Sequence, residues 1–352
     1  AEVGGELALA WVEISTGEFL TQPLKPAFLP AALARINPGE LLVADFLVER
    51  PELSTTLHEW KELISIQPQT FFDSANGEKR LQALYGVSVL ETFGDFSRSE
   101  LASAAALVNY IELTQKGRLP RFSRLKRLTI NQVMEIDAAT RRNLELTVTL
   151  NGERKGSLLS VIDRTLSGPG ARLLASHLAA PLRDPTILDE RFNMVQFFVD
   201  SALNSNDVRG FLKNCPDIER ALSRLSVGRG GPRDMGSIRD GLRLGMGVRS
   251  LLEETSVINK PKGILSAIEG LGRHSNLINL LSKALAAELP FHARDGGFIA
   301  QGFFDELDEV RSLRDESRSL IARFQSRYVK ETGVANLKVK HNNLLGYFVE
   351  VP

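Results

Sequence analysis

Three parts are predicted along this chain: a mixed α/β domain, then a domain built almost wholly of helices, then the first strands of a β region. Strand patterns alternate with helix patterns over the first part, which is the signature of an α/β layer arrangement. From Asp137 onward, apolar-periodic segments follow one another, each punctuated by Gly or Pro. A last helix pattern of about 30 residues then stops at Gly333 and gives way to the alternating "LKVK". The expected boundaries are 1–115, 116–335 and 336–352.

The elements justify this division in order. Leu7–Leu20, "LALAWVEISTGEFL", predicts a β-hairpin, with Ala8, Ala10 and Val12 on one face and Leu9, Trp11 and Glu13 on the other. Ser15–Gly17 supplies its turn, because glycine tolerates positive φ. A helix is expected over Phe28–Arg35, and "NPGELLVADF" reads as a turn followed by a short buried strand at Leu41–Ala44. Ser74–Tyr85 predicts a helix with Ser74 or Asn76 at its N-cap, and the Ala-rich Ser99–Leu113 another. Lys116–Arg127, "KGRLPRFSRLKR", holds six basic residues and no acidic one. It admits two readings, a phosphate-contacting strip or a solvated linker.

Asp137 is a good N-cap for "AATRRN", in which Ala138, Arg141 and Arg142 favour helix. "SLLSVIDRTL", "GARLLASHLAA", "PTILDERFNMVQFFVD", "DIERALSRLSV", "PRDMGSIRDGLRLGMGVRSLLEE" and "HSNLINLLSKALAAEL" follow without a common repeat, so an irregular helical domain is expected. In the closing helix Phe303, Leu307, Val310, Arg314, Ser317, Ile321, Phe324 and Tyr328 recur at spacings of four and three. That is a heptad track with apolar ends and a polar middle, so packing is expected at both ends. Asp305, Glu306, Asp308 and Glu309 crowd its start, and Arg323, Arg327 and Lys330 its end, in accord with the macrodipole. Such a helix spans about 45 Å, long enough to carry something across a distance.

Composition excludes several classes of function. Lys plus Arg equals Asp plus Glu at 43 each, so net charge steers toward neither nucleic acid nor membrane, and any nucleic-acid contact must be local. Cys215 is the single cysteine, which excludes an internal disulfide and fits a reducing, cytoplasmic compartment. No apolar run reaches membrane-spanning length, and the opening "AEVGGELALAWVEISTGEF" lacks the basic flank of a signal peptide. It enters a strand almost at once, so a piece of a longer protein is expected. The G-x-x-x-x-G-K-[ST] nucleotide loop is absent, since "GRGGPRDMG" and "DGGFIAQG" both lack its Lys-Ser/Thr. Asp45, Asp73 and Asp95 give no sign of convergence on a metal. No catalytic, cofactor or metal residue is therefore assigned.

One stretch, "MEIDAATRRNLEL" (Met134–Leu146), resembles a signature of the MutS family of DNA mismatch repair proteins. "LLSVIDRTLSGPGARLLASHLAAPLRDPTILDER" (Leu158–Arg191) is similar to that family's early core helices. "PRDMGSIRDGL", "DGGFIAQGFFDELDEVRSL" and "LKVKHNNLLGYFVEV" also resemble family segments, the last being the start of its clamp. These likenesses run in the family's order over nearly the whole chain. They imply a connector domain of ribonuclease-H-like fold, a helical core with a lever helix, and the first strands of a clamp. A mismatch-reading domain is then expected before residue 1. A return lever and an ATPase domain, with its ATP and Mg2+, are expected after residue 352.

The resemblance implies a homodimer that encloses mismatched double-stranded DNA, hydrolyses ATP in a DNA-dependent way and recruits MutL. This part would couple the clamp to the ATPase. Lys338 and Lys340, at alternate strand positions, are the clamp residues expected nearest a DNA backbone, or else ordinary exposed lysines. The family's connector carries the MutL surface, and within it Asn76, Glu78, Lys79 and Arg80 are expected at an exposed helix start. Two other readings compete: an active α/β nuclease module, and a MutS relative acting outside mismatch repair.

Overall fold

The computed structural model describes residues 1–128, 133–255, 259–342, 344 and 346–351. It divides into two compact units, Ala1–Leu281 and Ser282–Pro352.

The first unit begins as mixed α/β structure. Its elements are β1 (Glu2–Val3), β2 (Glu6–Glu13), β3 (Glu18–Leu24), α1 (Leu29–Ile36), β4 (Leu41–Ala44), α2 (Asp45–Val48), α3 (Pro51–Glu59), β5 (Ile64–Gln67), α4 (Ser74–Tyr85), α5 (Arg98–Thr114) and β6 (Lys126–Arg127). The expected hairpin is β2–β3, antiparallel from Leu7 opposite Leu24 to Glu13 opposite Glu18. Gly17 closes its turn at φ +79°, and a Cβ there would lie 2.0 Å from the Arg121 carbonyl oxygen, so only glycine fits. β1 extends this sheet antiparallel to β2, and β6 adds to β3 in parallel. β4 and β5 form a separate parallel pair. The short β5, "ISIQ", carried no turn signal strong enough to be read in advance.

Both faces of β2 are covered. Leu7 and Leu9 meet a cluster built on Leu33, Val43, Leu53 and Phe72, whereas Ala10 and Val12 meet one built on Phe19, Leu81, Val108 and Leu125. A buried side chain of this size contributes about 1.5–3 kcal/mol. α5 lies against β2 and β3 with α4 beside it. Its start is capped by Ser97, not Ser99: Ser97 Oγ accepts the Glu100 N–H, and the Glu100 carboxylate accepts the Ser97 N–H at 2.9 Å. At α4 the cap is Asp73 rather than Ser74 or Asn76, because its carboxylate reaches the Ala75 N–H at 2.9 Å.

Residues 116–127 are no solvated linker. Phe122 and Leu125 are buried in the second cluster, the Ser123 N–H bonds to the Gly17 carbonyl at 2.7 Å, and the Tyr85 hydroxyl donates to the Ser123 carbonyl at 2.8 Å.

Helices then dominate: α6 (Ala138–Asn143), α7 (Leu158–Ile162), α8 (Gly168–Ala179), α9 (Pro185–Asp200), α10 (Ala202–Lys213), α11 (Ile218–Ser226), α12 (Pro232–Glu254), α13 (Lys262–Gly270) and α14 (Ser275–Ala284). Side-chain caps at Asp137, Ser157, Ser167, Asp184 and Asp217 start five of them. α10, "ALNSNDVRGFLK", has poor intrinsic propensity and forms against α9 and α12. A small core of Phe197, Leu252, Ile264 and Ile268 joins α9, α12 and α13. Arg172 on α8 ties down the start of α11 through Asp217, at 2.6 and 3.0 Å, and Glu219, at 2.9 Å. The Arg172 guanidinium holds the Asp217 carboxyl below the usual range.

In the second unit a bridge pairs Leu285 with Ile299, and α15 (Asp305–Thr332) leads to an antiparallel hairpin of β7 (Lys338–Asn342) and β8 (Gly346–Glu350). Gly333 ends α15 at φ +69°, its N–H bonded to the Val329 carbonyl at 3.0 Å. The expected seam is partly redrawn. Arg314 and Ser317 are exposed as predicted, but so are Phe303, Val310 and, at the distal end, Phe324. The half-buried face at the helix start is instead Leu307, Asp308 and Arg311, where Asp308 accepts the Gly302 N–H and Arg311 donates to the Ile299 carbonyl. Asn343 and Leu345 of the closing motif lie outside the described residues.

Candidate functional site

The β7–β8 hairpin is fixed to the end of α15. Leu337 is buried, and the Val339 N–H donates to Gln325 Oε1 at 3.0 Å. Lys338 stands opposite Glu350 and Lys340 opposite Phe348, so both lysines share one face of the ribbon. Both are exposed, and Lys340 Nζ lies 2.5 Å from Glu350 Oε2. Part of its charge is therefore already answered, leaving Lys338 the more available cation. The opposite face carries the His341–Tyr347 ring pair at 4.8 Å.

The four residues at the start of α4 are not equivalent. Asn76 and Lys79 are exposed, whereas Glu78 and Arg80 are half-buried. Asn76 Nδ2 donates to Asp73 Oδ2 at 2.6 Å, and the Arg80 guanidinium bridges to Glu112 on α5 at 2.7 Å. The Ala75 N–H holds the Asp73 carboxyl below the ordinary carboxylate range. Arg80 thus ties α4 to α5, and the surface offered to a partner narrows to Asn76 and Lys79.

The acidic residues weighed as metal ligands serve separate local ends. Asp45 Oδ1 accepts the Phe46 N–H and Asp73 caps α4, while Asp95 is engaged through its main-chain carbonyl, which accepts from Arg127. Among the described residues no three His, Cys, Asp or Glu side chains gather as a metal site. Cys215 is half-buried, and burial pushes its thiol above the usual range, away from nucleophilic use. No described helix is long and apolar enough to cross a membrane.

Two charged arrangements escaped the sequence reading. Glu100 is fully buried and accepts from Thr21 Oγ1 at 3.0 Å while its carboxylate pairs with Arg127 at 3.2 Å. Arg35 lies over the Trp11 ring, donates to Gln22 Oε1, and stands 3.8 Å from Glu135. Burial lowers the basicity of both Arg35 and Arg141. The sequence marks Arg141 only as a helix former, because a polar residue inside a helix pattern gives no sign of what it will face.

Residues 1–123 match a family model described as MutS domain II, and residues 139–338 match one described as MutS domain III. The chain belongs to the MutS family. It is 47% identical over 356 residues to the DNA mismatch repair protein MutS of Cereibacter sphaeroides (strain ATCC 17025 / ATH 2.4.3), which covers 100% of this chain and 39% of that protein. It is 47% identical over 352 residues to the protein of the same name from Paracoccus denitrificans, covering 99% of this chain and 39% of the relative. For Ruegeria pomeroyi the identity is 46% over 350 residues, covering 99% and 40%. The chain thus spans about two fifths of the length of these curated MutS relatives. Its mixed α/β beginning and mostly helical remainder fall where the MutS domain II and domain III matches fall.

Proposed function

We propose that this chain is the connector-and-lever part of a protein acting in DNA mismatch repair. In this reading residues 1–115 are a connector domain of ribonuclease-H-like fold, residues 116–335 the helical core and lever, and residues 336–352 the start of a clamp. The observation that supports it is the order of the two family matches, together with a 28-residue helix that leads through Gly333 into the β7–β8 hairpin. A stiff helix turns a small rotation at one end into a displacement at the other, which is what coupling between remote sites requires. Lys338, and Lys340 less strongly, would meet phosphates of mismatched duplex DNA without reading bases. Asn76 and Lys79 would face MutL, with Glu78 and Arg80 shaping the edge of that surface. The whole protein would act in the cytoplasm as a homodimer, its ATP and Mg2+ held by a domain outside these residues.

The test is a chimera. These 352 residues replace the matching segment of the Cereibacter sphaeroides relative, in a strain lacking its own copy. The spontaneous mutation rate should fall to the repair-proficient level. A strain that remains a mutator while the chimeric protein accumulates normally overturns the reading. In the working chimera, Lys79→Glu should weaken MutL capture and leave mismatch binding intact.

A further inference from the structure

We propose that residues 116–127 form a sequence-blind contact for the phosphate backbone of duplex DNA, separate from the β7–β8 lysines. The proposal rests on the reading of this chain as part of a DNA-acting protein.

The strap is held rigidly and points its cations outward. Pro120, Phe122 and Leu125 are buried, the Phe122 ring packs 5.3 Å from that of Phe19, and Lys126–Arg127 pair in parallel with Leu20–Thr21. On its other flank the Arg121 N–H donates to Ser226 Oγ on α11 at 3.1 Å. Lys116, Arg118, Arg121, Arg124, Lys126 and Arg127 are all exposed. Arg127 is answered by Glu100, and the Arg124 guanidinium rests 4.5 Å over the Phe93 ring, which leaves its charge in place. Lys116, Arg118, Arg121 and Lys126 form no ion pair among the described residues.

Carboxylates on the elements beneath the strap do not answer them. Glu112 on α5 is paired with Arg80, Glu13 on β2 accepts from Ser15, and Glu18 on β3 forms no ion pair among the described residues. A further cation joins from α11's end. Arg229 is exposed and donates to Gln115 Oε1 at 3.0 Å, and its neighbour Gly228 lies against Arg118: a Cβ there would sit 3.1 Å from Arg118 Nη1. Like charges held together on a fixed backbone raise a local positive potential that an anion relieves.

The shape of the track selects the anion. Lys116 lies in the turn that closes α5, at φ +54°, and the chain then runs to β6, so the cations are spread over several residues and fit a polyanion rather than one phosphate. It has no exposed aromatic ring between the cations on which an unpaired base could stack, which favours the duplex backbone over single strands. It has no exposed large apolar residue between them either, which a membrane surface would use. Sequence preference is not expected, since guanidinium and ammonium contacts to phosphate carry none.

The experiment measures binding of the 352-residue chain to a fluorescent homoduplex of about 30 base pairs across salt concentrations. Replacing Lys116, Arg118, Arg121 and Lys126 together by Gln should lower the slope of log affinity on log salt by about 3–4, at roughly 0.9 per phosphate contact. Affinity at about 50 mM salt should fall at least tenfold. The double variant Lys338→Gln/Lys340→Gln should keep the strap's share of the slope. Circular dichroism and thermal melting verify folding. If the fourfold variant does not fold, Lys116→Gln/Arg121→Gln replaces it, with a slope change of about 2. An unchanged slope in a folded strap variant overturns the proposal. So does a wild-type chain that binds phosphatidylserine vesicles or a poly-glutamate peptide but not the duplex. The mutation-rate chimera reads out repair and not the strap: a mutator chimera with strap-dependent binding discards repair and keeps the strap, and the converse result does the reverse.

Discussion

Helix α5 buries ten of its 17 residues, whereas α15 buries none of its described side chains across 28. The first is an Ala-rich rod between β2–β3 and α4. Ala102, Ala104 and Ala106 are nearly inaccessible, and Ser103 donates to the Ala8 carbonyl at 3.1 Å. Short side chains let the helix lie close to the sheet, and its stability comes from that contact. α15 is held by local terms. Arg327 pairs with Glu331 four residues on, Phe324 and Tyr328 stack at 6.3 Å, acidic residues sit at its start, and Gly333 closes it. Each is worth only a few tenths to about 1 kcal/mol. The comparison teaches where sequence changes are felt. α5 is a structural keystone that tolerates little, and α15 is a strut whose side chains are left free to change.

The largest expected contrast comes from adding one residue. An Ala inserted between Ala105 and Ala106 turns everything after it by about 100° and swings Ala106, Val108 and Ile111 out of the core. Urea unfolding should show loss of several kcal/mol, on the order of a domain's whole stability. The same insertion between Asp315 and Glu316 in α15 should leave the urea and thermal transitions of this chain within about 0.5 kcal/mol of wild type. Its cost should appear only in the repair-competent chimera. There basal ATP hydrolysis should persist while stimulation by mismatched DNA is lost, because Ile321, Phe324 and Tyr328 are rotated out of phase. Inserting four residues nearly restores the phase and should recover part of the stimulation. Normal stimulation with both insertions would remove the lever from the reading.

Next in size is Glu100→Ala. It strips partners from Thr21 Oγ1, the Ser97 N–H and Arg127, and should cost about 2–4 kcal/mol, the lower end reflecting the partial exposure of Arg127. Chemical denaturation of the purified chain measures it, and a change below 1 kcal/mol would show that the buried carboxylate is not a structural centre of this unit. A matched pair sharpens the comparison at smaller scale. Val108 is 1% exposed and Val310 62%. Val108→Ala should cost about 2 kcal/mol, and Val310→Ala should stay within about 0.5 kcal/mol. Equal effects would erase the distinction between keystone and strut. Smallest is Gly333→Ala, about 1 kcal/mol confined to the end of α15, because alanine resists the left-handed conformation there. Amide exchange in the last turn should quicken roughly fivefold with the first unit unaffected.

Much of this was legible beforehand, and the misses have physical causes. The β2–β3 hairpin, β4, α4, α5 and the long closing helix follow from periodicity and from turn glycines, which are local signals. α10 and β5 were missed for different reasons. α10 lacks the helix propensity to stand alone and forms against its neighbours, whereas β5, though β-branched and alternating, is too short and lacks flanking turn signals. The N-caps moved by one to three residues because Ser, Asp and Asn cluster ahead of α4 and α5, and only the backbone path decides which oxygen reaches an N–H. At α4, chemistry named a polar quartet, but contacts divided it: Arg80 is engaged by Glu112 and Glu78 by Gln82, whereas Lys79 stays exposed and Asn76 bonds only to Asp73.

By itself the sequence determined the succession of α/β, helical and hairpin segments, the stop at Gly333, and the family, because each depends on residue order and on short-range conformational preference. Tertiary structure alone decided the pairing of charges. Glu100 and Arg127 lie 27 residues apart in number, and Arg172 and Asp217 45 apart. Whether a charge is answered depends on what the fold carries to within a few ångströms of it. The same reason made residues 116–127 ambiguous as a string of letters. Six cations could have met acidic partners or loose solvent; in the fold Phe122 and Leu125 are buried, and four of the cations stay exposed with no ion pair among the described residues.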